Sequence, residues 1–182
     1  GWNNLAFNFL YNFRSNNILK NKKLVVNIIE KISHEATKKK VSIITAESCT
    51  GGLISSALTS LSGSSFFFDR GYITYSNNSK IKLLNVSPMT LKKYGAVSEE
   101  VVKEMVSGCF DGNQLSLCLA ISGVAGPGKS ENKPVGMIWV AIKSKYKIDT
   151  KLFEFGDGSR KEIRKKSVYF ALKFLLKSLK SM

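Results

Sequence analysis

Short β-branched segments alternate with helix-periodic segments along most of this chain, and this alternation limits the possible fold more than any other feature. Strands are predicted at 41–46, 71–75, 115–121, 135–142 and near 147–155. Strands that alternate with helices form a layered α/β domain. The last two strands are joined by a short lysine-rich turn, so we expect them to pair with each other and the sheet to be mixed. No internal repeat or linker divides the chain, which indicates a single domain.

Residues 24–38 repeat apolar side chains at three- and four-residue spacing, which predicts an amphipathic helix. His34 lies on the face opposite the apolar stripe, so we expect it to face water. It is the only histidine in the chain. A single histidine that faces water argues against a Ser-His-Asp triad and against a histidine-built metal site.

The composition excludes several classes of protein. With 43% hydrophobic residues, the chain has enough apolar material to offset the entropy of ordering it, so bulk disorder is excluded. The three cysteines have no regular spacing, which argues against a disulfide framework and favours a reducing, cytoplasmic setting. No apolar run approaches the roughly 18 to 20 residues that span a bilayer, and we expect no signal peptide.

The formal net charge is +15, and nearly all of the excess lies in residues 1–40 and 142–182. A basic surface attracts nucleic acid or an anionic substrate. The chain is also rich in Lys, Asn and Ile together, a blend that general compositional drift produces as well. A solvated basic face is therefore favoured over a nucleic-acid site, which stays open as the alternative.

Residues 1–22 are rich in asparagine and aromatic side chains and show no clean periodicity. We interpret them as an N-terminal extension of unknown role. The domain itself is predicted to occupy residues 23–182.

The first candidate for chemistry is the segment 45–52 (TAESCTGG), where a strand turns sharply into a helix. The first amides of a helix lack internal partners. A Ser48 oxygen at this turn would lie near those amides, which could hold a developing oxyanion. The small residues at 50–52 let a substrate approach the backbone. The competing interpretation is that Ser48 or Thr50 only caps the helix and the glycines only form a turn.

A nucleophilic serine needs a base, and with His34 misplaced the choice falls to Lys, Tyr or a carboxylate. Lys80 follows the predicted strand at 71–75 by one turn, near Tyr75, where sheet-edge sites are built. A lysine acts as a base only if burial or a nearby cation lowers its pKa from about 10.4. The alternative is that Lys80 is one more exposed lysine.

Two further segments are candidates for substrate binding. Residues 122–128 (SGVAGPG) leave a predicted strand as a glycine-rich loop whose amides could hold a phosphate. The segment matches neither a P-loop nor a dinucleotide-binding signature, which argues against a kinase or a dehydrogenase. Arg160 precedes a predicted basic helix and could bind a phosphate or carboxylate, or could be an ordinary surface arginine.

Cys49 is an alternative nucleophile, because a thiolate at a helix N-terminus is reactive. A cysteine amidase usually needs a histidine or glutamate partner. Glu47 is close in sequence, but near neighbours at a turn seldom face one another. A small buried cysteine is the favoured interpretation.

These segments together resemble the CinA C-terminal domain family, the nicotinamide-nucleotide amidases. The matching segments follow the family's order and rough spacing: 45–52 (TAESCTGG), 63–65 (GSS), 70–72 (RGY), 75–77 (YSN) with Lys80, 94–98 (YGAVS), 122–127 (SGVAGP) and 133–136 (KPVG). The resemblance covers about residues 24 to 180. Some members carry this domain behind a molybdopterin-related domain that these residues do not encode, so we expect the stand-alone form.

The resemblance implies a three-layer α/β/α sandwich with a mixed sheet. It also implies hydrolysis of the carboxamide of nicotinamide mononucleotide to nicotinic acid mononucleotide and ammonia, with no metal or organic cofactor. Ser48 then becomes the nucleophile, Lys80 the general base and later acid, and Tyr75 a hydrogen-bonding helper. The residues expected to bind substrate are Cys49, Thr50, Gly51, Gly52, Ser122, Gly123, Gly126 and Arg160. We also expect a homo-oligomer and no membrane partner.

Two segments depart from the family pattern. Residues 128–132 are shorter and poorer in glycine than the usual loop, and 156–159 (GDGS) differ just before Arg160.

The alternatives to an amidase are a competence- or DNA-damage-related module that binds nucleic acid, and an amidase-like domain kept only for interactions.

Overall fold

The computed structural model of the chain describes residues 18–128, 130 and 132–182. The strands are β1 (Ser42–Glu47), β2 (Phe68–Ile73), β3 (Ser116–Gly123), β4 (Met137–Lys143) and β5 (Ile148–Glu154). The helices are α1 (Ile18–Lys39), α2 (Leu53–Leu58), α3 (Asn77–Leu84), α4 (Pro88–Tyr94), α5 (Glu99–Gly108) and α6 (Arg160–Ser181), with a 3₁₀ turn at Ser64–Phe66.

The five strands form one mixed sheet in the order β2-β1-β3-β4-β5. Strand β1 runs parallel to both β2 and β3. Strand β4 runs antiparallel to β3 and to β5. The predicted pairing of the last two strands, and with it the mixed sheet, is confirmed.

Helices cover both faces of the sheet, and each face has its own hydrophobic core. One core contains Ile43 and the apolar sides of α1 and α6. The other contains Ile44 and the apolar side of α5. Successive strand residues point to opposite faces, which is why neighbours in β1 belong to different cores. The result is the expected three-layer α/β fold in a single domain.

The two central strands are buried almost throughout. In β3 every residue except Gly123 is buried, and in β1 every residue except Ser42 is. Strands covered on both faces read as continuous apolar runs rather than as alternating ones. This explains why the sequence of β3 shows no polar face.

Serine residues cap the helices that surround the sheet edge. Ser76, Ser87 and Ser98 accept hydrogen bonds from the first amides of α3, α4 and α5. Helix α6 begins with a capping box, in which Ser159 accepts from the Glu162 amide and the Glu162 carboxylate accepts from the Ser159 amide. This box sets where α6 starts and so where Arg160 lies.

Strand β2 begins and ends earlier than the predicted 71–75. Phe67, the residue before β2, is already bonded to β1, because its carbonyl accepts from the Ile43 amide (2.6 Å). Phe67 is also fully buried, so this end of the strand is anchored in the core. At the other end, the Ser76 cap of α3 takes the chain out of the sheet.

Helix α1 begins at Ile18 and not at residue 24, so it crosses the boundary predicted after residue 22. Residues 18–23 contain no glycine or proline that would stop a helix. The remainder of the predicted extension, 1–17, lies outside the described residues. His34 is exposed, as predicted. Within the described part of the chain, no helix has the length and apolarity to cross a membrane.

Candidate active site

A cavity of about 390 Å³ lies at the carboxyl ends of β1 and β3. In α/β sheets, ligands bind outside the carboxyl ends of the strands. The turn after β1, the start of α3, the α4–α5 connection, the loop after β3 and the start of α6 all contribute to its wall. Most of the predicted site residues line it, namely Ser48, Cys49, Tyr75, Lys80, Ser122, Gly123, Gly126 and Arg160.

Ser48 is the first residue after β1. Its amide donates to the carbonyl of Ile121 on β3 (3.1 Å), so the β1–β3 ladder holds the serine one residue past the strand end. The Ser48 Oγ lies 3.0 Å from the Nζ of Lys80. The structure therefore brings together the two residues predicted to act as nucleophile and base.

Lys80 reaches the site from α3. Helical side chains point toward the helix N-terminus, and here that direction leads back to the end of β2. The Lys80 Nζ donates to the carbonyls of Thr74 (2.9 Å) and Tyr75 (3.4 Å). The side chain is only 1% exposed. The alternative of an ordinary exposed lysine is wrong.

Glu47 anchors the start of α2 from the end of β1. Its fully buried carboxylate accepts from the amides of Gly52 (3.1 Å), Ile54 (3.0 Å) and Ser55 (2.7 Å), and from the Ser55 hydroxyl (2.7 Å). Carboxylates at a helix N-terminus are stabilised by these unpaired amides. The turn that carries Ser48 is thus attached rigidly to the helix that follows it.

Within the turn, the Gly51 amide donates to the Ser48 carbonyl (3.0 Å). That amide is therefore not free to bind a substrate oxygen. Among the described residues, the amides of Cys49 and Thr50 donate to no carbonyl or carboxylate. Cys49 lines the cavity and Thr50 does not, so the Cys49 amide is the one that the turn leaves available to a developing oxyanion.

Cys49 lines the cavity but is 5% exposed. Burial raises the pKa of its thiol to about 12, and the negative charge of Glu47 acts in the same direction. The thiol is therefore protonated at neutral pH, which agrees with a small buried cysteine and disfavours Cys49 as the nucleophile.

We expect Cys49 to resist alkylation in the folded protein. At about pH 8, a thiol with a pKa near 12 is ionised in only about one molecule in ten thousand. Iodoacetamide treatment followed by peptide mass spectrometry should find Cys49 unmodified in the native protein and modified after denaturation. Rapid native modification that substrate suppresses would show instead a reactive thiolate.

Tyr75 and Arg160 meet at the mouth of the cavity. The Arg160 Nη2 donates to the Tyr75 hydroxyl (2.7 Å), and its Nη1 donates to the Gly126 carbonyl (2.8 Å). Tyr75 is 58% exposed. The pair joins the end of β2, the glycine-rich loop and the start of α6 around one opening.

Ser122 contributes to the wall of the cavity through a structural contact. Its hydroxyl is buried and donates to the Ala96 carbonyl (2.7 Å) of the α4–α5 connection. Lys133 holds the same connection by donating to the carbonyls of Tyr94 (2.6 Å) and Val97. These contacts place Ala96 and Val97 in the cavity wall.

Three residues predicted to bind substrate do not line the cavity: Thr50, Gly51 and Gly52. The Thr50 side chain is fully buried, and the two glycines have left-handed backbone with φ of +57° and +93°. A side chain at Gly51 would press on the guanidinium of Arg164, and one at Gly52 would contact Ile73. These residues shape the turn and not the cavity wall, and their role in substrate binding stays a prediction.

The cavity wall also contains residues that the sequence did not single out individually as site residues. They are Asn77, Ala96, Val97, Val124, Ala125, Gly128 and Ser130. Ala96 and Val97 lie within segment 94–98, which matches the family pattern, and that match is the sequence signal that could have identified them. Ser130 belongs to the loop that departs from the family pattern.

Comparison with known proteins identifies the family. The model of the CinA C-terminal domain matches residues 25–179 of the chain, which include every residue of the cavity wall. The chain belongs to the CinA C-terminal domain family.

Solved structures of CinA proteins share the fold. The competence/damage inducible protein CihA from Agrobacterium tumefaciens has a TM-score of 0.81 at 37% identity, over 86% of this chain and 96% of that one. A CinA superfamily protein from Klebsiella pneumoniae has a TM-score of 0.82 at 31% identity, over 87% and 99% of the two chains.

Relatives of the CinA domain differ in length and in name. The nicotinamide-nucleotide amidohydrolase PncC of Enterobacter agglomerans is 46% identical over 134 residues, which cover 72% of this chain and 81% of that protein. A CinA-like protein of Endomicrobium trichonymphae is 45% identical over 143 residues, which cover 78% of this chain but 33% of that protein. The chain thus spans about a third of the length of such CinA-like relatives.

Proposed function

We propose that this CinA domain hydrolyses the carboxamide of nicotinamide mononucleotide to nicotinic acid mononucleotide and ammonia, by a serine–lysine mechanism. The observation that carries the proposal is the 3.0 Å contact between Ser48 Oγ and Lys80 Nζ in the wall of the cavity. The cavity volume falls within the range of small-molecule sites, about 300 to 1,000 Å³. The name of the PncC relative supports the substrate class.

The proposed mechanism requires Lys80 to be a neutral amine before the attack. Such an amine has two N–H donors and one lone pair. In the structure the nitrogen donates to the carbonyls of Thr74 and Tyr75 and to the Ser48 Oγ. Once the amine is neutral, its lone pair can face the Ser48 hydroxyl, which then donates to it. Burial favours this form because it disfavours a charged amine. In the first step Lys80 takes the Ser48 proton while Oγ attacks the amide carbon.

The attack turns the amide oxygen into an oxyanion. We assign its stabilisation to the amide of Cys49, which the turn leaves available in the cavity wall. Donors of this kind each contribute about 3 to 4 kcal/mol to the stability of the transition state. The Gly51 amide, engaged by the Ser48 carbonyl, is left out of this role.

Collapse of the intermediate breaks the C–N bond. Lys80, now an ammonium, gives its proton to the leaving nitrogen, which departs as ammonia and leaves the nicotinoyl group as an ester on Ser48. Water then attacks this ester with Lys80 again as base. The products are the carboxylic acid and free Ser48, so no redox partner or external proton source is needed.

We assign phosphate binding to Arg160, which lines the cavity, together with amides of the glycine-rich loop. We expect Arg160→Ala to raise KM for nicotinamide mononucleotide by about tenfold or more, with little effect on the turnover of nicotinamide riboside. Lys161→Ala, which removes the neighbouring exposed charge, is the control. Equal losses for both substrates would place Arg160 elsewhere in the reaction.

The proposed reaction is tested by incubating the purified protein with nicotinamide mononucleotide. We expect ammonia and nicotinic acid mononucleotide in equal amounts, measured by enzymatic ammonia assay and by chromatography. Absence of both products at substrate concentrations that saturate binding would refute the assignment of this substrate.

Nucleic-acid binding is the second candidate function, and a lysine cluster on β5 and α6 is the observation that favours it. Lys151 on β5 and Lys177 on α6 line one surface cavity. Burial and the charges of Lys177 and Lys173 lower the pKa of Lys151. DNA affinity that falls steeply with salt and is unchanged by Ser48→Ala would support this function. Failure to bind DNA at low salt would exclude it.

A further inference from the structure

The segment 133–136 (KPVG) has no part in the proposed reaction, and none of its residues lines the cavity. Its main chain is nevertheless bonded to two residues of the cavity wall. The Lys133 amide donates to the Ser130 carbonyl (2.8 Å). The Gly136 amide donates to the Val124 carbonyl (2.8 Å). The segment therefore lies directly behind the part of the wall that the loop after β3 forms.

Side-chain donors hold the connection between α4 and α5. Each of the four successive carbonyls that begin with Tyr94 and end with Val97 accepts a hydrogen bond from a side chain. The hydroxyls of Ser98 and Ser122 supply one donor each. The Lys133 Nζ supplies the other two, to the Tyr94 carbonyl (2.6 Å) and to the Val97 carbonyl. Without Lys133, half of these carbonyls would lose their donor.

The residues held in this way belong to an aliphatic part of the cavity wall. Ala96 and Val97 line the cavity from the α4–α5 connection, and Val124 and Ala125 line it from the loop after β3. Small-molecule sites hold rings with apolar side chains and orient them with a few polar groups. The reacting carboxamide is bonded directly to the pyridine ring. An amide carbon placed at the Ser48 Oγ therefore brings the ring into the cavity that these side chains line.

We propose that Lys133 is a positioning residue that holds Ala96 and Val97 against the pyridine ring of the substrate. This inference rests on the proposed amidase function. Lys133 acts through the α4–α5 connection and contacts no substrate atom in this role. Contacts with the ring are made in the ground state and in the transition state alike, so their loss weakens substrate binding and leaves the chemical step nearly unchanged.

The test compares Lys133→Met with Lys92→Met. Methionine keeps most of the aliphatic stem and removes the donors, and Lys92 is an exposed lysine of α4 that serves as the control. We expect Lys133→Met to raise KM for nicotinamide mononucleotide by about tenfold, with kcat changed less than about threefold, because hydrogen bonds from a charged donor are lost behind the wall. Calorimetry in the Ser48→Ala background should show the same increase in Kd. Lys92→Met should change neither KM nor Kd.

A second measurement does not depend on turnover. The ring current of a bound pyridine ring shifts the resonances of methyl groups that lie against it. In methyl ¹³C–¹H spectra of Ser48→Ala protein, saturating nicotinamide mononucleotide should therefore shift the Val97 methyl resonances. In the ligand-free protein, the same resonances should move further in Lys133→Met than in Lys92→Met.

Three results would each overturn the positioning role of Lys133. They are Val97 methyl resonances that saturating nucleotide leaves unmoved, Val97 methyl resonances that Lys133→Met leaves unmoved in the ligand-free protein, and a loss of activity confined to kcat. Wild-type protein that releases no ammonia would refute the amidase function. The ligand-free spectra would still decide whether Lys133 holds Val97 in place.

Discussion

Ser48→Ala is expected to lower kcat for nicotinamide mononucleotide by about 10⁴-fold or more. Removal of the nucleophile of a serine hydrolase leaves only the catalysis that binding and oxyanion stabilisation provide. Ser48 is 8% exposed, and its Oγ contacts the Lys80 Nζ, so the smaller side chain should fit without rearrangement. The measurement is the steady-state rate of ammonia release, with thermal unfolding to show that the variant is folded.

Ser56→Ala is the matched control for Ser48→Ala. Ser56 lies in α2, a short distance along the chain, and is exposed. Its replacement should leave kcat and KM within about twofold of wild type. If Ser48→Ala kept a rate within about tenfold of wild type, Ser48 would lose the role of nucleophile.

Lys80→Met is expected to lower kcat by about 10² to 10⁴-fold. Methionine keeps most of the buried aliphatic volume and removes the amine that takes and returns the proton. Because the mechanism needs neutral Lys80, kcat/KM of the wild type should rise with pH until this group is deprotonated. That acid limb of the pH–rate profile should be absent in Lys80→Met.

Lys82→Met is the control for Lys80→Met, because Lys82 is an exposed lysine on the same helix. It should leave the pH–rate profile unchanged. A Lys80→Met enzyme that kept kcat and only shifted its pH optimum would reduce Lys80 to a positioning role.

The elements next to the site could be predicted from local sequence. The β-branched run before Glu47 and the small residues after Ser48 determine a strand that turns into a helix, and both are local properties. The Ser76 cap likewise fixed α3, and with it the face on which Lys80 lies. The partnership of Ser48 with Lys80 came from family resemblance, since spacing alone left other bases open.

Contacts between distant segments could not be predicted. The bond from Arg160 to Tyr75 joins residues 85 positions apart, and it depends on where α6 packs on the sheet. The same is true of the bond from Arg164 to the Cys49 carbonyl, which joins residues 115 positions apart. Ser122 was predicted to bind substrate, but its hydroxyl is committed to the Ala96 carbonyl by the packing of the α4–α5 connection.

The most direct test of the mechanism is to run the reaction in the presence of hydroxylamine. An ester on Ser48 can be attacked by hydroxylamine as well as by water, so the hydroxamate of the nucleotide should form at the expense of nicotinic acid mononucleotide. Ammonia release should be at least as fast as without hydroxylamine. The Ser48→Ala variant should release no ammonia and form no hydroxamate. Ammonia release with no hydroxamate at any hydroxylamine concentration would show that water attacks the amide directly, and would contradict Ser48 as the nucleophile.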